Sequence, residues 1–223
     1  MKGRGIKGFT LIIFLGLFSC APSRFVKPLE KNQKALSFSL GGPGIMYSGA
    51  PIPIPFSTLG YAQGINNSIT VFGALHSTSS LFGNLQADLG ASCKLFELSS
   101  GLGMSASPAI QLAYSVGTAK TLRAWPSGDV NVYYHLFKKP SYLYGGLNIW
   151  FEFSKFKAHQ ELQTRHVIPN LQLGYVLVKK KWQHQFEFKF VGMGIPNTPG
   201  VVDYVGLNGK GSVGFYYNLI RLF

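Results

Sequence analysis

The chain alternates between apolar and polar residues from Leu36 onward. In the segment DVNVYYHLF, Val130, Val132 and Tyr134 share one face of a predicted strand, and Asp129 begins the opposite face. Successive side chains of a β-strand point to opposite sides, so a period of two predicts strands rather than helices. The same period recurs in SYLYGGLNIWFEF and WQHQFEFKF, where one face is apolar and aromatic and the other is polar but bulky. An apolar exterior around a polar interior is the pattern that lipid requires of a barrel.

This pattern predicts an all-β fold, an antiparallel up-and-down transmembrane β-barrel of about ten strands. Eight strands are the alternative if the first pair is irregular. The predicted connections alternate in length, as expected for short periplasmic turns and longer outer loops. The predicted strands lie near 35–41, 57–65, 68–77, 81–95, 102–117, 124–137, 141–154, 165–178, 182–193 and 208–222.

Composition supports a membrane protein. Only 13% of the 223 residues are charged, whereas soluble domains carry about 25%. The net charge is +13, and the basic residues group at turns such as 179–181 rather than in a nucleic-acid-binding pattern. We therefore expect anionic lipid headgroups as partners, and no nucleic acid. No nucleotide, zinc-protease or CxxC motif occurs and the five histidines are dispersed, so no metal or cofactor is predicted.

The first twenty residues have the layout of a secretory signal: a cationic start, an apolar stretch and the ending SC. The residues LFSC, 17–20, resemble the lipobox of bacterial lipoproteins, although Phe18 is bulkier than usual. This resemblance implies cleavage before Cys20 and attachment of acyl chains such as palmitate to that residue. An ordinary signal peptide with an incidental cysteine is the alternative. The predicted organisation is a signal peptide at 1–19, a periplasmic lipid-anchored tether at 20–34 and an outer-membrane barrel at 35–223.

The chain ends on GSVGFYYNLIRLF, which resembles the terminal signal of outer-membrane proteins; Arg221 departs from its apolar pattern. The resemblance implies delivery to the outer-membrane insertion machinery. With the lipid at Cys20 in the inner leaflet, both chain termini would be periplasmic. The residues that carry the resemblance are Phe215, Tyr217, Leu219 and Phe223.

Two groups of residues are candidates for chemistry. The stretch HSTSS contains His76, Ser77 and Ser79 at a predicted outer rim; it suggests either a hydrolase centre that acts on lipid or a polar turn. It lacks the neighbouring Asn of the lipid A deacylase type. Six inward residues suggest either a proton relay or a hydrogen-bonded plug, and the limited interior of a small barrel favours the plug. These six are Asp88, Asp129, His135, Glu152, Glu187 and Lys189.

The first predicted outer loop contains three prolines that stiffen an extended segment with apolar side chains. Exposed apolar residues on a stiff loop suggest a protein contact or a lid over the barrel mouth. The residues of this predicted contact loop are Pro51, Ile52, Pro53, Ile54, Pro55 and Phe56.

Taken together, these features predict a lipid-anchored barrel in the bacterial outer membrane. The favoured role is non-enzymatic, as a structural or accessory subunit of a larger outer-membrane assembly. The alternatives are an acyl hydrolase of lipid A or phospholipid centred on His76, and a narrow channel for small polar solutes.

Overall fold

A computed structural model describes residues 22–116, 121–136, 139–156, 162–197 and 202–223. Cys20 and the predicted signal peptide lie outside these ranges. Eleven strands and one short helix follow one another along the chain. They are β1 (Lys34–Tyr47), β2 (Ala50–Pro53), β3 (Ser57–Asn66), β4 (Ile69–His76), α1 (Ser77–Leu81), β5 (Asn84–Glu97), β6 (Leu102–Ser115), β7 (Leu122–His135), β8 (Tyr142–Phe151), β9 (Val167–Lys179), β10 (Trp182–Pro196) and β11 (Lys210–Leu222).

Ten of these strands form a closed antiparallel barrel. Each pairs with its neighbour along the chain, and β11 pairs with β1 from Ala35↔Leu222 to Pro43↔Gly214. Closure satisfies the edge strands, whose backbone groups would otherwise lack partners. The predicted fold class is confirmed with ten strands rather than eight. The eleventh strand, β2, pairs only with the end of β1.

The wall of the barrel has the predicted alternation. On β7, Val130, Val132 and Tyr134 are 41–49% exposed on the outside, whereas Asn131 and Tyr133 are at most 1% exposed in the lumen. Residues 67–68, 98–101, 139–141 and 180–181 lie at one end of the barrel, here called the short-turn end. The opposite end, called the long-loop end, carries the longer connections and α1.

The first eight described residues of the predicted tether, 22–29, lie inside the barrel. Phe25, Val26 and Leu29 are 2–4% exposed. Phe25 and Leu29 pack in a cluster that includes Phe72, and Val26 packs against lumen tyrosines that include Tyr144. Residues 22–29 of the predicted periplasmic tether at 20–34 thus fill the lumen, whereas residues 30–32 are exposed at the short-turn end. We call residues 22–33 the plug segment.

Two local predictions also need correction. The stretch after His76 is not a simple turn but the five-residue helix α1. The first barrel strand, predicted to end at 41, continues to Tyr47 and forms a hairpin with β2. In the described ranges, no helix combines the length and apolar character needed to cross a membrane.

Candidate functional site: the plugged lumen

The plug segment enters the barrel at the short-turn end and rises along the lumen. The Lys31 amide donates to Asn67 Oδ1 in the β3–β4 turn at 2.9 Å, and the Leu29 amide donates to Thr70 Oγ1 at 2.7 Å. Further in, Ser23 lies beside Glu187, the sixth of the 15 residues of β10. Pro22 lines a lumen cavity between the two ends. The chain direction at Pro22 therefore leads away from the short-turn end.

Arg24 is the central anchor of the plug segment. Its guanidinium forms an ion pair with Asp88 and donates to Ser39 Oγ at 3.1 Å and Thr58 Oγ1 at 2.6 Å. The side chains of Arg24 and Asp88 are each 5% exposed. His76 Nε2 lies 2.9 Å from Asp88 Oδ2. Each charge of a buried ion pair has lost its hydrating water, so it requires additional hydrogen-bond partners.

A second anchor lies at Glu187, which is fully buried. Its carboxylate accepts from the Ser23 amide at 3.2 Å and from the Tyr144 hydroxyl at 2.8 Å. Gln185 Nε2 donates to the Ser23 carbonyl at 2.8 Å, and Lys189 Nζ lies 3.5 Å from Glu187. The backbone of Ser23 is thus bound by two polar side chains of β10, and Tyr144 of β8 hydrogen-bonds to both of them.

The third anchor closes the short-turn end. Lys27 Nζ lies 2.5 Å from Glu97 Oε1 and 3.0 Å from His135 Nε2. Lys94 adds a contact to Glu97 at 3.4 Å. These groups are 15–31% exposed in their side chains, so they form a partly hydrated ring of charge below the buried anchors.

The six predicted lumen residues do not form one cluster. Asp88, Glu187 and Lys189 lie near the middle of the barrel, whereas His135 lies at the short-turn end. Asp129 accepts from Asn148 Nδ2 at 2.6 Å beside the lumen cavity. Glu152 follows the end of β8 and accepts from Trp125 Nε1 at 2.8 Å. The plug interpretation described hydrogen bonding within the wall, but the plug segment itself binds at three separate levels, through the Arg24 and Lys27 side chains and the Ser23 backbone.

The sequence analysis missed Arg24 and Lys27. Both lie in SRFVK, where two basic residues flank the apolar pair Phe25–Val26. The available signal was the excess of inward carboxylates over inward cations in the predicted strands, because buried carboxylates require a counter-charge.

The lumen space left beside the plug is small. The cavity next to Pro22 has a volume of about 40 Å³ and is lined by polar groups that include Asp88, Asp129 and Lys189. One water molecule needs about 10–15 Å³ of such volume. The cavity is therefore suited to ordered water rather than to an organic solute.

His76 is positioned to support the plug. It is 1% exposed and faces the carboxylate of Asp88. The sequence alone did not show which acidic residue would orient His76. Ser77 Oγ donates to the Ser57 carbonyl at 3.1 Å, and Ser79 Oγ donates to Gln86 Oε1 at 2.8 Å. The contact with Asp88 supports a role for His76 in holding the plug segment, and the hydrolase alternative stays a prediction.

The predicted contact loop forms part of the β1–β2 hairpin. Ser48 and Gly49 have φ of 49° and 82°, which suits the two-residue turn of a tight hairpin. Ile52 and the three prolines are exposed as predicted, but Ile54 and Phe56 are half-buried. They are half-buried because this end of the loop folds back onto β1, where the Gly41 amide donates to the Phe56 carbonyl at 2.9 Å.

The C-terminal signal residues lie on the closing strand. Phe215 contacts the Phe188 ring at 5.1 Å between centroids, and Tyr217 contacts Phe186 at 5.3 Å. Leu219 is half-buried, and Phe223 is 56% exposed. Their role in insertion stays a prediction. Among the described residues, no group of three His, Cys, Asp or Glu side chains is arranged to hold a metal ion.

No protein-family model matches the sequence, and no curated protein matches it at a significant level. Solved structures share the barrel architecture at very low identity. An outer membrane channel from Pseudomonas putida F1 has a TM-score of 0.48 and 9% identity, covering 91% of this chain and 100% of that one. The translocator domain of the autotransporter NalP from Neisseria meningitidis has a TM-score of 0.45 and 10% identity, covering 87% and 90%. These likenesses concern the fold alone, an antiparallel barrel of the outer-membrane kind.

Proposed function

We propose that this protein is an outer-membrane β-barrel sealed by its own N-terminal segment, and that it serves as a structural or accessory subunit of a larger assembly. The observation that carries the proposal is the plug segment, bound in the lumen through Arg24, Ser23 and Lys27. Because the lumen is occupied, the surfaces left for function are the outer wall and the loops.

The outer wall supports location in a membrane. Large apolar side chains are exposed on strands all around the barrel, for example Leu59 at 58%, Leu147 at 48% and Phe188 at 58%. Continuous apolar surface of this extent is unfavourable in water and suits the hydrocarbon of a bilayer. The outer membrane is the bilayer in which bacterial barrels of this kind reside.

The β1–β2 hairpin is the surface we propose for contact with a partner protein. Tyr47 is 65% exposed, Met46 41% and Ile52 40%. The hairpin is held in place because the Met46 amide donates to the Asp203 carbonyl at 2.8 Å. A rigid surface with exposed apolar side chains loses little conformational entropy on binding.

The double substitution Tyr47→Ser, Ile52→Ser should release a partner that the unaltered protein retains in mild detergent. The reason is the loss of the exposed apolar contacts at the tip of the hairpin. The measurement is affinity purification from native membranes, followed by native mass spectrometry. Leu162→Ser, at a side chain that is 67% exposed on another loop, is the matched control and should retain the partner. Recovery of a lone monomer from the unaltered protein would contradict the accessory role.

Lipid attachment at Cys20 is an alternative to the sealed state, because the plug segment constrains where Cys20 can lie. Cys20 is two residues from Pro22, so the two Cα atoms are at most about 7 Å apart. Pro22 lines the lumen, and the rest of the segment lies between it and the short-turn end. An acyl anchor in the leaflet at the short-turn end and the plugged position of Pro22 are therefore mutually exclusive. Anchoring there requires withdrawal of the plug segment.

A cysteine at position 23 should report this exclusion, in a chain where Cys93 is replaced by serine. Ser23 is 2% exposed, so Ser23→Cys should resist a water-soluble thiol reagent in chains without acyl groups and react in acylated chains. Top-down mass spectrometry reads both modifications on the same molecule and separates labelling of position 23 from labelling of the Cys20 thiol, which is free in chains without acyl groups. Lys31→Cys, at an exposed position, is the control and should react in both populations. Protection of position 23 in acylated chains would overturn the exclusion.

A further inference from the structure

An apolar groove crosses the outer wall of the barrel, with a volume of about 670 Å³. Two neighbouring rows of outward-facing residues line it, and each row follows directly paired positions from one strand to the next. The first row is Trp182, Arg221, Leu36, Tyr61, Gly73 and Leu89, and the second is Leu219, Phe38, Leu59, Leu75 and Ala87.

The groove rises from the short-turn rim into the wall. Trp182 is the first residue of β10, and Arg221 is the last but one of β11. Leu89, at the other end of the row, is eight positions above the end of β5 at Glu97. The first row crosses six strands, which are separated by five intervals of about 4.8 Å each. The groove is therefore about 24 Å long. This length exceeds the ~15 Å of hydrocarbon in one leaflet of a bilayer, and an inclined acyl chain fits along it.

Small residues form the floor of the groove. Gly73 has no side chain, and a Cβ there would meet Leu89 Cδ2 at 2.8 Å. Ala87 lies beside it in the second row. The flanking side chains project outward from the wall, since Leu75 is 66% exposed and Leu59 is 58% exposed. The result is an apolar depression bordered by leucines.

The rim end of the groove is cationic. The Arg221 guanidinium lies 5.3 Å from the Trp182 ring and 5.4 Å from the Phe223 ring. Lys34 and Lys181 lie close to Arg221 in the barrel wall. The Phe223 amide donates to the Lys34 carbonyl, and the Leu222 amide donates to the Lys181 carbonyl. Arginine binds phosphate through paired hydrogen bonds, and basic residues near a membrane surface attract anionic headgroups.

We propose that the groove binds one acyl chain of an anionic phospholipid, with the lipid phosphate on Arg221. This inference rests on the proposed location in a membrane, with the short-turn end toward the leaflet that contains the phospholipid. An apolar channel of leaflet length that ends at a cation matches a lipid that has one charged end. The shape and the charge together distinguish this site from the rest of the apolar wall.

Trp182 is a built-in reporter for the site. The chain has three tryptophans; Trp125 and Trp150 are 4% and 8% exposed and stack on each other at 6.4 Å, whereas Trp182 is 39% exposed at the groove. Bromine atoms on a lipid chain quench tryptophan fluorescence only at short range. Reconstitution with phosphatidylglycerol or phosphatidylcholine, each with the same dibrominated chain, therefore compares the two headgroups at Trp182.

In the unaltered protein, the apparent affinity at Trp182 should be about fivefold higher for phosphatidylglycerol, as expected for one basic residue near anionic lipid. Arg221→Gln should lower this ratio, because the residue assigned to the lipid phosphate is lost while Lys34 and Lys181 remain, whereas Lys139→Gln, at an exposed lysine in another short turn, should keep it. Gly73→Leu should fill the groove and abolish the preference. Gly145→Leu is its control, because Gly145 is on the outer side of β8 and a Cβ there makes only ordinary contacts at 3.7 Å.

Equal quenching by both lipids in the unaltered protein would overturn the groove proposal while leaving membrane insertion intact. Preference for phosphatidylglycerol that survives both Arg221→Gln and Gly73→Leu would also overturn it. Absence of quenching by either lipid would contradict the proposed membrane location and the groove with it. The headgroup comparison therefore separates failure of this inference from failure of the proposed function.

Discussion

Replacing Arg24 with methionine should lower the free energy of unfolding by about 3–5 kcal/mol, the range found when one partner of a buried ion pair is removed. Methionine keeps much of the apolar stem of arginine but leaves Asp88 buried without its cation. Ser39 and Thr58 lose their donor in the same step. The measurement is reversible urea unfolding in lipid vesicles, followed by tryptophan fluorescence.

Asp88, the other member of the ion pair, is the site at which a second substitution should restore the lost stability. Asp88→Asn in the Arg24→Met background removes the orphaned charge and should restore most of the lost stability. Lys31→Met changes an exposed lysine of the same segment and should leave stability nearly unchanged. A loss from Arg24→Met that the second substitution does not relieve would contradict the ion-pair interpretation.

Replacing residues 22–28 with a glycine–serine segment of equal length should convert a silent barrel into an ion-conducting one. The substitution removes the side-chain anchors of Arg24 and Lys27 and the packing of Phe25 and Val26, which leaves only the backbone of residue 23 to bind Glu187 and Gln185. The lumen wall keeps its polar side chains, among them Asp129 and Lys189, which hydrate readily once uncovered. Single-channel recording in planar bilayers should show steps that the unaltered protein, purified without acyl groups, lacks.

Folding of this variant is checked by its heat-dependent migration on gels, which reports a closed barrel. The hairpin variant Tyr47→Ser, Ile52→Ser leaves the plug segment untouched and should remain silent. A glycine–serine variant that migrates as a folded barrel and yet conducts no ions would show that the wall alone closes the lumen. That result would overturn the seal we assign to the plug segment.

The sequence by itself determined the barrel. A period of two is a local property of each strand, because neighbouring side chains must face either lipid or lumen. The predicted strand at 57–65 is observed at Ser57–Asn66, and the one at 182–193 begins at Trp182 as expected. The contrast of short and long connections also agrees with the observed topology, apart from α1 and the β1–β2 hairpin.

Only the tertiary structure decided what fills the barrel. Residues 22–33 have no strand period, so nothing local distinguishes a segment in the lumen from a tether in water. The partners of Arg24 and Lys27 lie 64 and 70 positions further along the chain, at Asp88 and Glu97. They meet because closure between β1 and β11 encloses a lumen that the wall side chains do not fill. The carboxylates in this lumen also lack counter-charges from the wall. Buried charge and empty volume are properties of the assembled barrel, and they specify a plug that no single strand predicts.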